Sequence, residues 1–265
     1  MAADRLASDE ERAWRRLGMA ALVSLVAHLA AGLAMAAILG RGLETQADLA
    51  ERLAFIAHHR WLWIGGWLTW NAAAVSVLYY YAAFSWLHRL HGASGDSTRV
   101  REATSSPTAK SNQSSVPQAP LRFAVLIAIV AVAADLSAEA IWMGVAPSLA
   151  SQALEQTEAA KAKLADSPAV SPFLLVHRIA AMLSGFVANG LYTLAAVLLA
   201  WSSRRHYPAW VLAAALVVGV SGVALSASVL AESVFGMFFA NVALVPAILV
   251  WQAGVAITAW RKTHG

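Results

Sequence analysis

The sequence predicts an all-α protein: a polytopic membrane helix bundle with six transmembrane helices and both termini cytoplasmic. Three observations predict it. First, 59% of the 265 residues are hydrophobic and only 13% are charged, whereas a soluble domain carries about 25% charged and 45–50% apolar residues. Second, six runs approach the roughly 20 apolar residues that a bilayer-crossing helix needs. Third, Lys and Arg are distributed unevenly between the two sides that those runs define.

The composition excludes a disordered chain, a nucleic-acid module and an ordinary water-soluble enzyme. With no Cys, structural disulfides, thiolate metal sites and thiol catalysis are excluded as well. The formal charge of +4 reads as a topology signal, and no nucleic-acid partner is implied.

The runs are 17–39, 61–87, 121–145, 173–201, 210–230 and 235–260. Helix is the expected form, because an open sheet leaves backbone groups unpaired in lipid and a barrel requires short alternating strands. The first run follows a basic leader and contains Ala34-Met35-Ala36, which matches a cleavage site. It is longer than a signal-peptide core, however, and its leader holds Asp4, Asp9, Glu10 and Glu11, so it reads as a retained span.

With a cytoplasmic N-terminus, 13 Lys and Arg fall in inside segments and 5 outside, with Arg178 in the membrane. The expected organisation is a cytoplasmic segment at 1–16, two spans within 17–90, a flexible cytoplasmic linker at 91–120, a four-helix bundle at 121–260 and a tail at 261–265. The linker is rich in Ser, Thr and Pro and too polar to bury a core. Arg in excess of Lys and Ala-rich spans suggest a bacterial inner membrane.

Two outer loops read as ordered. Thr45-x-x-Asp48 resembles a capping box, followed by Leu49, Leu53 and Ile56 at helical spacing beside Glu51 and Arg52. This predicts an amphipathic helix at about 46–59, and a second loop helix is expected at about 148–165. Tyr79, Tyr80, Tyr81, Trp86, Trp201, Trp210 and Trp260 at inner ends, and Trp61, Trp63 and Trp142 at outer ends, read as interface anchors.

Ionisable groups at membrane depth face bundle interiors and mark function by default. The candidates are His28, Asp135, Glu139, His177 and Arg178, joined by the uncharged Asn71, Asn189, Asn241 and Gln252. At about 1.5 Å per residue, His177, Arg178, Glu139 and Asn241 lie roughly 7–9 Å from the outer boundary, and Asp135, Asn71 and His28 roughly 14–18 Å. That gradient predicts a polar cleft opening outward.

In the third span Asp135, Glu139 and Trp142 share one face, continued inward by Ala124, Ala128 and Ala131. Val125, Leu126, Ile129, Val130 and Val132 form the lipid-like remainder. In the fourth span Arg178, Gly185, Asn189 and Tyr192 lie within one arc, with His177 about 100° to the side. Ser24, His28, Gly32 and Met35 form a comparable stripe in the first. By depth, Arg178 is the expected partner of Glu139, which leaves Asp135 protonated, bonded to His28 or Asn71, or binding a proton or metal ion.

No cofactor is expected. His28 and His177 differ too much in depth for a bis-His haem, and Asp135, Glu139, His28 and His177 lack metalloenzyme spacing. His58-His59 at the outer surface could bind a metal weakly but reads first as exposed or capping. Gly222-x-x-x-Ser226 and Gly236-x-x-x-Ala240 are small-residue faces for close packing or oligomerisation. Pro246 predicts a kink, with Asn241 one turn away to serve freed backbone groups.

Three functional readings follow. One is a small transporter or proton- or ion-coupled permease, with a cleft around Asp135, Glu139, Arg178, His177, His28, Asn71 and Asn241 for a small anionic or protonatable ligand. The second is a scaffold subunit of a membrane complex held by a Glu139–Arg178 clamp. The third is an intramembrane enzyme acting on a lipid or quinone.

Overall fold

The computed structural model describes residues 2–103, 118–160, 164 and 167–264. Its helices are α1 (Ala2–Ala37), α2 (Leu49–His58), α3 (Arg60–Ala103), α4 (Gln118–Gly144), α5 (Ala146–Ala160), α6 (Val170–Ala181), α7 (Asn189–Ser203), α8 (Ala209–Leu230) and α9 (Val234–His264). A π-helical segment, Met182–Ala188, joins α6 to α7 without a break. No strand occurs among the described residues.

Among the described residues, five helical stretches are long and apolar enough to cross a membrane: Ser8–Arg41, Gln118–Glu158, Val170–His206, Ala209–Leu230 and Val234–His264. The expected span at 61–87, on α3, is not among them. α3 has the length, but Trp61, Trp63, Trp67, Trp70 and Tyr79–Tyr81 give it amphipathic aromatic rings where the others carry aliphatic side chains. It continues as helix through 91–103, the first part of the expected linker. Extending an anchored helix costs far less than nucleating one. The rest of that linker, 104–117, lies outside the described residues, as do 161–163 and 165–166 in the second loop.

The long helices close a ring. α1 packs on α3, α3 on α4, α4 on α6 and α7, α7 on α8, α8 on α9, and α9 back on α1. The helices before and after 104–117 thus share one bundle. Two packed layers fill it. One holds Trp14, Tyr80, Phe84, Leu121, Leu199 and Trp251. The other holds Leu39, Ile56, Trp63, Trp67, Trp142 and Phe173, toward the end where α2 and α5 pack together.

Large apolar side chains stand outside the ring, among them Leu33 on α1, Leu126 on α4, Leu216 and Val220 on α8, and Phe235 on α9, each at least 60% exposed. Water would not tolerate so continuous an apolar girdle on a monomer; lipid would. The third-span pattern holds: Ala124, Ala128 and Ala131 are buried and Leu126, Ile129 and Val130 face outward, while Val132 turns inward.

Several local expectations are corrected. Asp48, rather than Thr45, caps α2: its Oδ1 accepts from Ala50 N at 2.8 Å and Glu51 N at 3.4 Å. Thr45 Oγ1 instead donates to Gly40 O at 2.8 Å. Pro246 lies within α9, but Asn241 Nδ2 donates to Met237 O at 3.0 Å, not to the carbonyl of Val242 that the proline leaves without its N–H. The aromatic anchors divide. Trp61, Trp201 and Trp260 are exposed, as a girdle requires, whereas Tyr80, Tyr81, Trp63 and Trp142 are buried in the bundle.

Candidate functional site

A cavity of about 240 Å³ lies inside the ring, between the two packed layers. Every long helix contributes to its wall. It reaches from Tyr81, Trp251 and Gln252 to Leu43 and Glu44 in the loop after α1, and so extends toward the end that α2 and α5 cover. Most of the wall is aliphatic or aromatic, and the polar groups are few.

α4 supplies two of them. Asp135 and Glu139 are one turn apart, so their Cβ atoms are about 5–6 Å from one another. Both line the cavity, and both are buried, Glu139 to 1% exposure. Small residues along the same face let α4 seat against α7, which aims the acids inward. Ser184 Oγ in the π segment donates to Asp135 Oδ1 at 2.6 Å. The Tyr192 hydroxyl lies beside the same carboxyl, outside good hydrogen-bond geometry, and is buried without another partner. Glu139 Oε2 is buried with no hydrogen-bond partner.

Arg178 is not that partner, which corrects the expected Glu139–Arg178 pair. Its side chain is 65% exposed, outside the cavity, and forms an ion pair with Glu232. The reason is angular. His177 is the inward residue of α6, so Arg178, rotated by 100°, must face out. The π segment then alters the phase between 178 and 189. A π turn holds more residues than an α turn, so each advances the helix by less. Gly185, Asn189 and Tyr192 line the cavity and Arg178 does not.

His177 is buried but does not line the cavity. Its Nε2 pairs with Glu44, Arg52 Nη2 lies 3.2 Å from the same nitrogen, and its ring meets the Trp142 indole edge-on with centroids 4.2 Å apart. Burial raises the Glu44 carboxyl, but the hydrogen bond from His177, its charge and that of Arg52 outweigh this and hold it below the usual glutamate range. Burial lowers the Arg52 guanidinium, against the opposing effect of Glu44. Neither Glu44 nor Arg52 stood out among the charges of the sequence. A signal existed: Arg52 lies on the same helical arc as Leu49, Leu53 and Ile56, where α2 is apolar.

His28 lines the cavity from α1, with Nδ1 2.7 Å from Ser24 O. Gln252 Nε2 donates to Ser24 Oγ at 2.8 Å and ties α9 to α1, while Gln252 Oε1 is buried without a partner. Asn241 lines the cavity near Met237. Asn71 does not; its amide is 3.9 Å from Met143 Sδ. Asn189 lines the wall while Nδ2 donates to Gly222 O at 2.7 Å and Ser226 Oγ at 2.9 Å. Of the expected residues, the cavity thus gathers His28, Asp135, Glu139 and Asn241 and leaves Arg178, His177 and Asn71 outside it.

Among the described residues no group of three or more His, Asp and Glu side chains is arranged to hold a metal ion. His58 and His59 are exposed beside Arg41 and Glu51. Comparison of the chain with protein-family models, curated proteins and solved structures gives no match.

Proposed function

We propose that the chain is a six-span protein of the bacterial inner membrane, with both termini cytoplasmic, and that it is a small transporter that passes protons through this cavity. One observation carries this reading. Asp135 and Glu139 share an apolar-walled central cavity, and Glu139 Oε2 has no protein partner. Two neighbouring negative charges in such a cavity are costly unless something neutralises them. A proton arriving through the α2/α5 end does so, and a proton leaving restores the charge. α3 counts as the sixth span because it is held between α1 and α4 in the ring.

The scaffold reading rested on a Glu139–Arg178 clamp, and Arg178 pairs with Glu232 instead. The anionic-ligand reading rested on Arg178 in the cleft, where it does not lie.

The test is proton flux in proteoliposomes holding the full chain, read by a trapped pH-sensitive dye under an imposed gradient. Wild-type vesicles should dissipate the gradient faster than protein-free vesicles, and Asp135→Asn and Glu139→Gln should lose that flux while keeping a wild-type melting profile. Equal flux from wild type and both variants would sink the proposal.

A further inference from the structure

We infer that the cavity takes an amphipathic organic cation: an ammonium group carrying an apolar or aromatic substituent. The inference rests on reading the cavity as a ligand site and adds the ligand's chemistry to it.

Three properties of the wall select that chemistry. The first is its charge. Glu44, Asp135 and Glu139 line it, and no Lys or Arg is among the described residues that do. Glu44 is already paired with His177, and Asp135 accepts from Ser184. Glu139 has a free carboxyl oxygen in a side chain that is 1% exposed. A second buried acceptor, Gln252 Oε1, is likewise without a partner in the same wall. An ammonium group neutralises the carboxylate, and the carbonyl oxygen adds a second electronegative point to the wall.

The second property is aromatic surface. Trp67, Trp70, Tyr81, Trp142, Tyr192 and Trp251 all contribute to the lining. Trp67 and Trp142 are stacked, with centroids 5.4 Å apart and planes within 4°, so both rings are held rigid. Aromatic faces attract cations through the ring quadrupole, most strongly where water is excluded. An anion has the reverse interaction with both the acids and the rings.

The third is the aliphatic remainder of the wall, including Val77, Val218, Leu225, Leu244 and Ile248. It suits the apolar part of such a ligand and offers an inorganic cation no coordination.

The probe is benzyltrimethylammonium, with benzylsulfonate as the anion of matching aromatic part. Radiolabelled probe is equilibrated by dialysis against the purified full chain in detergent, with no gradient. The expected result is saturable binding of the ammonium probe, none of the sulfonate, affinity reduced about tenfold or more in Glu139→Gln and about threefold or more in Trp70→Ala. Trp70 is only half-buried, so that variant keeps the test open if Glu139→Gln does not fold. Phosphocholine as competitor separates a lipid headgroup, which displaces the probe, from a free cation, which it does not; either result upholds the ammonium site. No saturable binding, equal binding of the sulfonate, or wild-type affinity in a folded variant overturns the proposal. Binding without proton flux would remove the transporter reading and keep the ligand class, and flux without binding would do the opposite.

Discussion

Ser184 Oγ donates a 2.6 Å hydrogen bond to Asp135 Oδ1, and this bond ties the π-helical segment to α4 at the cavity wall. Removing it leaves a buried carboxyl short of a donor. Ser184→Ala should therefore destabilise the chain by roughly 1–3 kcal/mol, measured as a shift in the unfolding midpoint in mixed detergent. An unchanged midpoint would show that the bond adds nothing.

Gly222 lies against Thr193. A Cβ at residue 222 would stand 1.9 Å from Thr193 Oγ1, and the Gly222 carbonyl also accepts from Asn189. Gly222→Ala should cost about 1–3 kcal/mol through overpacking. Thr193→Ala in the same chain should recover most of that loss, and the non-additivity of the pair measures the contact. Simple addition of the two single effects would argue against it.

Glu44 gives a pH dependence of definite sign. Its carboxyl is held below the ordinary value of 4.5, so the charged form is favoured by folding. The stabilisation is complete above that value and is lost as pH falls through the depressed folded value. The groups facing it are His177 from α6 and Arg52 from α2. Below pH 4.5 the melting temperature of wild type should fall more steeply than that of Glu44→Gln as pH is lowered further. Asp135 and Glu139 are present in both chains and cancel in the difference. Parallel profiles would refute the coupling.

Arg178 and Glu232 form an exposed pair, with side chains 65% and 59% accessible. Such pairs contribute about 0–1 kcal/mol. Arg178→Ala should leave the unfolding midpoint nearly unchanged, with wild-type affinity for benzyltrimethylammonium. A large loss of affinity would return Arg178 to the site.

The α4 stripe was legible because it needs only the α-helical period and a contrast between small or acidic and β-branched residues. Asp135, Glu139 and Trp142 accordingly lie together in the wall. The place of Arg178 is not legible in the sequence, because an α-helical wheel from 178 to 192 assumes a constant angle per residue and Met182–Ala188 does not obey it. Nothing in that apolar stretch announces a π segment. Tyr81 and Trp142 read as girdle residues because position in the sequence gives depth along the axis but not angle about it. Both are buried and both line the cavity. Glu44 was out of reach for another reason: a loop carboxylate shows its partner only when the chain has folded back upon His177.

The π segment makes chain length a property of the site. Arg178 and the cavity residues that follow it depend for their relative bearing on how many residues lie between them. A one-residue deletion within 182–188 that restored α-helical winding would swing His177 and Arg178 relative to Asn189 and Tyr192 without altering one polar side chain. Among related chains the spacing between Arg178 and Asn189 would then be a sharper mark of shared function than the identity of either residue. An aligned pair of sequences separated by a single gap in this stretch would agree in composition and differ in what the cavity presents.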